Sequence, residues 1–187
     1  HKAVIEAALE QAKEVVVVVG SCFAARNIRN PFTFQERKAM IEAVFPTDRV
    51  KVVPVSDYPY DDNKWVAAIQ SIVDQAVPDA KDVGLIGHSK DSTSYYLNIF
   101  PSWKDHVEVG DVDGINATTI RKVLFGDDRD LNYVEANMPW QALRVMNNAI
   151  LMGGKIGGYW DVLAQEYEMV KKYKAAWKSA PFPPTFM

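Results

Sequence analysis

Between Gly114 and Arg121 the chain reads Gly-Ile-Asn-Ala-Thr-Thr-Ile-Arg, after a short polar strand at 107–109 and at the start of a helix running on through Lys122, Val123 and Leu124. The first turn of a helix leaves backbone N–H groups without partners and carries partial positive charge, so Asn116, Thr118 and Thr119 at that entrance can receive an anion. Arg121 adds a planar fork of donors one turn on. Such a set fits a polyphosphate; it also fits an ordinary Asn116 N-cap followed by a solvated arginine.

Further polar side chains gather after successive apolar runs. The loop from Gly20 to Phe32 carries Ser21 and Asn30, and Thr33 with Glu36 spells a capping box for the helix behind it. Arg37 sits in the first turns of that helix, where the dipole disfavours a cation; an anionic ligand or a surface carboxylate would relieve it. Trp65 opens another helix, where its indole can stack on a flat ring or pack between helix and sheet. Gly87-His88-Ser89-Lys90-Asp91 follows a third apolar run, and glycine there lets a ligand approach the backbone closely. Gly153-Gly154-Lys155-Ile156-Gly157-Gly158 lacks the GK[ST] ending of a phosphate loop and reads as a flexible helix connection.

These positions need a scaffold. Val4, Ile5, Ala8, Leu9 and Ala12 recur at helical spacing, predicting an amphipathic helix over 2–13. Val15 to Val19 is continuous and β-branched, as in a strand covered on both faces, and 50–55 and 83–86 repeat the pattern. Between them, Met40, Ile41, Val44 and Phe45 predict one buried helix face, and Trp65, Val66, Ile69, Ile72 and Val73 another. Helices alternating with buried strands predict an α/β fold, a Rossmann-like doubly wound parallel sheet with helices on both faces and a helical C-terminal part. In such sheets ligands bind at the carboxyl ends of the strands, where the polar loops fall.

The 187 residues, 48% of them hydrophobic, suffice for one domain, placed at 1–179, with the proline-rich stretch 180–187 read as a linker. With 21 basic residues against 24 acidic ones and no basic block, a nucleic-acid surface is not expected. The single cysteine, Cys22, fits a reducing compartment, and the longest aliphatic run is far short of the roughly 20 apolar residues that span a bilayer, so we expect a cytoplasmic protein with no membrane partner.

Gly20-Ser21, Asn30-Pro31-Phe32-Thr33 with Glu36-Arg37, Trp65-Val66, Gly87-His88-Ser89-Lys90-Asp91, Tyr95-Tyr96-Leu97, Phe100-Pro101-Ser102-Trp103 and Ile115 to Arg121 stand in an order that resembles the adenylyltransferase domain of the bifunctional NMN adenylyltransferase/Nudix hydrolase family. The 115–121 stretch is similar to the I-S-x-T-x-x-R motif of nucleotidyltransferases, with Asn116 in place of the usual serine. The resemblance implies transfer of AMP from ATP to nicotinamide mononucleotide, giving NAD and pyrophosphate, with Mg²⁺ held mainly by the ATP phosphates. It implies catalytic roles for His1 and Arg121, and ATP contacts from Thr118, Thr119, Gly87, His88 and Asp91. Ser21, Asn30, Arg37 and Trp65 fall on the mononucleotide side.

The family also has a central strand, a Gly-Arg-Phe segment and a first histidine ahead of the position of His1. We expect the fuller protein to contain them, and a Nudix domain beyond the linker. A homo-oligomer is compatible with this reading. Another phosphorylated acceptor, or a nucleotide-binding module without catalysis, are the competing readings.

Overall fold

The computed structural model describes residues 1–87, 98–103, 106–109, 117–126, 131–155 and 158–179. Helix α1 (Lys2–Gln11) leads into strand β1 (Val15–Val19), helix α2 (Phe34–Glu42), strand β2 (Val50–Pro54) and helix α3 (Asp62–Ala76). Short strands β3 (Leu85–Gly87) and β4 (His106–Glu108) follow, then four helices: α4 (Ala117–Phe125), α5 (Leu131–Asn137), α6 (Trp140–Lys155) and α7 (Tyr159–Lys178). The stretch 180–187 read as a linker lies outside the described residues.

β1 pairs in parallel with β2, Val15 opposite Val50 through Val19 opposite Pro54, and β3 pairs in parallel with β4 from Leu85 opposite His106. The five valines of β1 divide by strand alternation. Val15, Val17 and Val19 join a core with Ile5 and Ala8 of α1, Val50 and Val52 of β2, and Ile41 of α2. Val16 and Val18 join the opposite core with Ile69 and Val73 of α3 and with Phe100. Helices thus cover both faces, the doubly wound arrangement that continuous apolar strands imply. α1 touches both β1 and β3, yet no ladder joins the two pairs among the described residues. Val15 is the one fully buried residue of β1, and among the described residues β1 has a hydrogen-bonded neighbour, β2, on one edge.

A third core belongs to the C-terminal helices: Leu124 and Phe125 of α4, Val134 of α5, Met146 of α6, and Trp160 and Leu163 of α7. Met40 and Phe32 reach this core, whereas Ile41 and Phe45 reach the β1 core, so α2 is wedged between two clusters. That wedge corrects the expected single buried face: no residue of α2 is fully buried, and Val44 and Phe45 lie past its end. β3 ends on Gly87 instead of 86, and β4 covers 106–108 instead of 107–109.

The glycine-rich stretch is also corrected. Gly153, Gly154 and Lys155 complete α6, and Gly158 at φ 61° is the residue before α7. A Cβ on Gly153 would lie 2.2 Å from the Tyr159 ring, whose hydroxyl donates to the Ala149 carbonyl at 3.0 Å. Glycine is therefore required at 153 by close approach of the next helix. No helix among the described residues is long and apolar enough to cross a membrane. Gly153→Ala is expected to cost about 1–3 kcal/mol in denaturant unfolding, as overpacking does, and a second change of Tyr159→Ala should make that cost much smaller than in the parent background.

Candidate functional site

The strands are parallel, so their carboxyl ends lie together, and β1 and β2 present Gly20-Ser21 and Ser56-Asp57 there. Ser21 holds φ 51°, a left-handed backbone conformation uncommon outside glycine. It is kept there by Asp57, whose Oδ1 accepts from the Ser21 backbone N–H at 3.1 Å and from its hydroxyl at 3.0 Å. Asp57 is a residue the sequence reasoning missed, because its partner is 36 residues away.

Arg37 meets the same tip from α2. Its guanidinium donates to the carbonyls of Gly20 at 2.9 Å and Ser21 at 3.3 Å, and its Nε to that of Thr33 at 3.4 Å. Backbone carbonyls at the end of β1 and ahead of α2 thus take its donors, partners that the helix-dipole argument did not name. Arg37 and Ser21, assigned to one side of the site from sequence, are thus in direct contact.

The loop between Ser21 and α2 is held by one arginine. Arg26 forms a bidentate pair with Glu36 at 2.7 and 2.9 Å, donates to the Pro31 carbonyl at 2.9 Å, and lies 4.0 Å from the centre of the Tyr159 ring. Glu36 at the same time closes the predicted capping box, accepting from the Thr33 N–H at 2.8 Å while Thr33 Oγ1 accepts from the Glu36 N–H at 3.3 Å. Burial works against ionisation of Glu36, but the hydrogen bonds from Arg26 and Thr33 outweigh it and hold its carboxyl below the usual carboxylate range. Within the loop, Asn27 Oδ1 accepts from the backbone N–H groups of Arg29 at 2.9 Å and Asn30 at 3.0 Å. Asn30 is therefore in an Asx-type turn, partly exposed.

On the other side, α4 opens with Ala117, Thr118 and Thr119. Arg121 Nη2 donates to Thr118 Oγ1 at 3.2 Å, so two members of the predicted anion site are joined directly. Partial burial, and then repulsion from the Arg29 guanidinium, depress the Arg121 pKa below its ordinary value; the group remains charged at any physiological pH. Thr119 is partly buried on the same turn. Gly87 ends β3, where its carbonyl accepts from Val109 at 2.9 Å. Asn116, His88 and Asp91 lie outside the described residues.

Two assigned residues stand apart from these contacts. His1 precedes α1 and is exposed, its carbonyl accepting from the Ile5 N–H at 3.0 Å, with no side-chain cap. Because α1 must run back against β1 across a three-residue turn, its first residue falls toward the carboxyl end of the sheet. Trp65 is tilted against Phe100 at 5.8 Å, and Phe100 stacks on Trp103 at 4.6 Å, which places the indole in the core on the α3 face while leaving it partly exposed. A cleft of about 370 Å³ runs elsewhere, between Ile28 and the Tyr167, Lys171, Lys174 and Lys178 side of α7, and none of the assigned residues lines it.

The profile of the cytidylyltransferase-like family matches residues 1–112. The chain is similar to a nicotinamide/nicotinic acid mononucleotide adenylyltransferase of Acinetobacter baylyi, at 39% identity over 129 residues that cover 67% of this chain and 68% of that protein. A nicotinamide-nucleotide adenylyltransferase of Methanocorpusculum labreanum is 35% identical over 75 residues, covering 39% and 44%. The crystal structure of a bifunctional NMN adenylyltransferase/ADP ribose pyrophosphatase from Francisella tularensis, complexed with AMP and a manganese ion, superposes with a TM-score of 0.77 at 29% identity. That likeness takes in 100% of this chain and 54% of the Francisella chain, so the chain spans about half the length of that protein.

The Arg26–Glu36 pair carries a pH signature. The native state favours ionised Glu36, so its contribution is complete above the unfolded carboxylate range and is lost as acid protonates it below that range. Glu36→Gln is expected to lower stability by about 1–2 kcal/mol near neutral pH, and the difference from the parent chain should shrink as urea titrations are taken down to about pH 3.

Proposed function

This chain belongs to the cytidylyltransferase-like family, and from that premise we propose that it is a nicotinamide-nucleotide adenylyltransferase, making NAD and pyrophosphate from ATP and nicotinamide mononucleotide. In this reaction a 5′-phosphate oxygen of the mononucleotide attacks the α-phosphorus of ATP, one P–O bond forms, and the bond to the departing pyrophosphate breaks. The protein forms no covalent bond to either substrate; it works by alignment and by stabilising charge on the transferring phosphoryl group.

The observation that carries the reading is the Thr118–Arg121 contact at the mouth of α4. There a hydroxyl orients a charged guanidinium, and no carboxylate among the described residues neutralises it. In our reading Arg121, Thr118 and Thr119 hold the triphosphate, with His1 approaching from the start of α1. Gly87, His88 and Asp91 receive the adenosine. Ser21, Asn30 and Arg37 take the mononucleotide, whose ring rests on the exposed part of Trp65. Held by three carbonyls, Arg37 acts first by shaping the β1 tip on which Ser21 sits.

A divalent cation, taken here as Mg²⁺, supplies charge neutralisation on the phosphates. In our reading the ion is carried mainly by the ATP phosphates and water. The two relatives named for mononucleotides favour nicotinamide or nicotinic acid mononucleotide over other phosphorylated acceptors.

Assays with ATP and nicotinamide mononucleotide, nicotinic acid mononucleotide or phosphopantetheine in parallel should give a dinucleotide with one or both of the first two. Product with phosphopantetheine alone would reject the reading. Arg121→Ala is expected to cut turnover about 100-fold or more, the loss typical of one charge-stabilising donor, with an unchanged unfolding midpoint.

A further inference from the structure

Helix α7 changes character along its length. Its first half is seated: Trp160 and Leu163 are buried in the C-terminal core, and Tyr167 packs against them. Residues 171–179 are exposed at every position, so the end of the helix runs on past that core. Four large apolar side chains remain in solvent along the same helix, Val162 at 61% exposure, Met169 at 51%, Tyr173 at 54% and Trp177 at 38%. At 3.6 residues per turn their spacing places them on one stripe, turned away from Trp160, Leu163 and Tyr167. The Tyr173 and Trp177 rings lie 6.2 Å apart and extend the stripe as aromatic surface. A contiguous exposed apolar strip of this kind marks an interaction face.

The charges of α7 are sorted along its axis. Asp161, Glu166 and Glu168 stand in the first half, and Lys171, Lys172, Lys174 and Lys178 in the second. Lys171 pairs with Glu168 at 3.3 Å within the helix, whereas Glu166, Lys172 and Lys174 make no ion pair among the described residues. By helical geometry Glu166 lies within the apolar stripe, and Lys172 and Lys174 flank it on its two sides. A uniformly acidic or uniformly basic partner would be repelled by one half of such a surface. The complement of this face is its own reverse. Against a second α7 running antiparallel, with the midpoint beside Met169, Val162 comes next to Trp177 of the second copy. Glu166 then meets Lys174 of that copy, and Glu168 meets its Lys172. Parallel pairing would set lysine against lysine instead.

We propose that the outer face of α7 is a self-association surface, on which two copies of this chain pair their α7 helices antiparallel about a twofold axis near Met169. The contact is isologous, with the apolar stripe at its centre and the Glu166–Lys174 and Glu168–Lys172 pairs at its rim. A helix of 20 residues is about 30 Å long, which puts one helix per copy at the small end of stable interfaces and the affinity in the micromolar range. The proposal is independent of the adenylyl-transfer reading.

Sedimentation velocity of the full chain should show the mass rising from 21.0 kDa toward twice that value as the concentration passes through about 10 µM, and the melting temperature should rise with it. Met169→Glu combined with Tyr173→Glu, both at exposed positions, should weaken association about 100-fold or more and keep the melting temperature of the dilute parent. Glu166→Lys and Lys174→Glu should each weaken it about tenfold, while the two together restore the parent affinity to within about threefold, because in an antiparallel pair each exchanged charge meets the other. A parent that is still monomeric at about 100 µM overturns the proposal. So does a dimer that survives the Met169→Glu and Tyr173→Glu changes, or a double charge exchange that restores nothing.

Discussion

The bidentate pair between Arg26 and Glu36 is the contact on which the arrangement of the site turns. Glu36 serves two masters with one carboxylate: it closes the N-terminus of α2 through Thr33, and it seats Arg26. Arg26 in turn spans the loop to Pro31 and lies on the ring of Tyr159, at the start of the last helix. One partly buried ion pair therefore links the strand end, the helix that follows it and the C-terminal helical layer. Its hydrogen bonds are charge-assisted and fork-shaped, so geometry is specified along with energy. A lysine at 26 could keep the charge but not the planar stack and two-pronged contact.

From that anchor the rest of the strand-end surface can be traced. With the loop fixed, Ser21 is held in its left-handed conformation by Asp57, and Arg37 closes over the Gly20 and Ser21 carbonyls. On the opposite side Thr118 orients Arg121. Phe32, at the end of the loop after β1, and Ile120, in the first turns of α4, pack against the same core. Packing among apolar side chains thus decides how far apart the charged ones stand.

What the sequence made legible was local or periodic. The Thr33–Glu36 box involves residues three apart and forms as written, and the unbroken valines of β1 do split between two cores. The α4 entrance was readable for the same reason, since Thr118 and Arg121 are one helical turn apart. The misses are non-local. Nothing near Arg37 announces that carbonyls 16 and 17 residues upstream will take its donors, and nothing near Ser21 points to Asp57. α2 was read with one buried face because periodicity counts apolar positions but not the number of cores they reach. Gly153 looked like slack in a connection; its reason is the Tyr159 ring, which only the packing of α6 on α7 brings near.

The one-sided pairing of β1 leaves a mark that reaches below the side chains. Val15 donates its N–H to Arg49 and Val55 donates to Val19, so in this parallel register the odd-numbered valines turn their amides toward β2. Alternation then turns the amides of Val16 and Val18 toward the edge that carries no ladder among the described residues. Within five identical residues, deuterium should be taken up in a sawtooth: slow at 17 and 19, fast at 16 and 18. A strand whose sequence looks uniform would report, amide by amide, which of its two edges is closed.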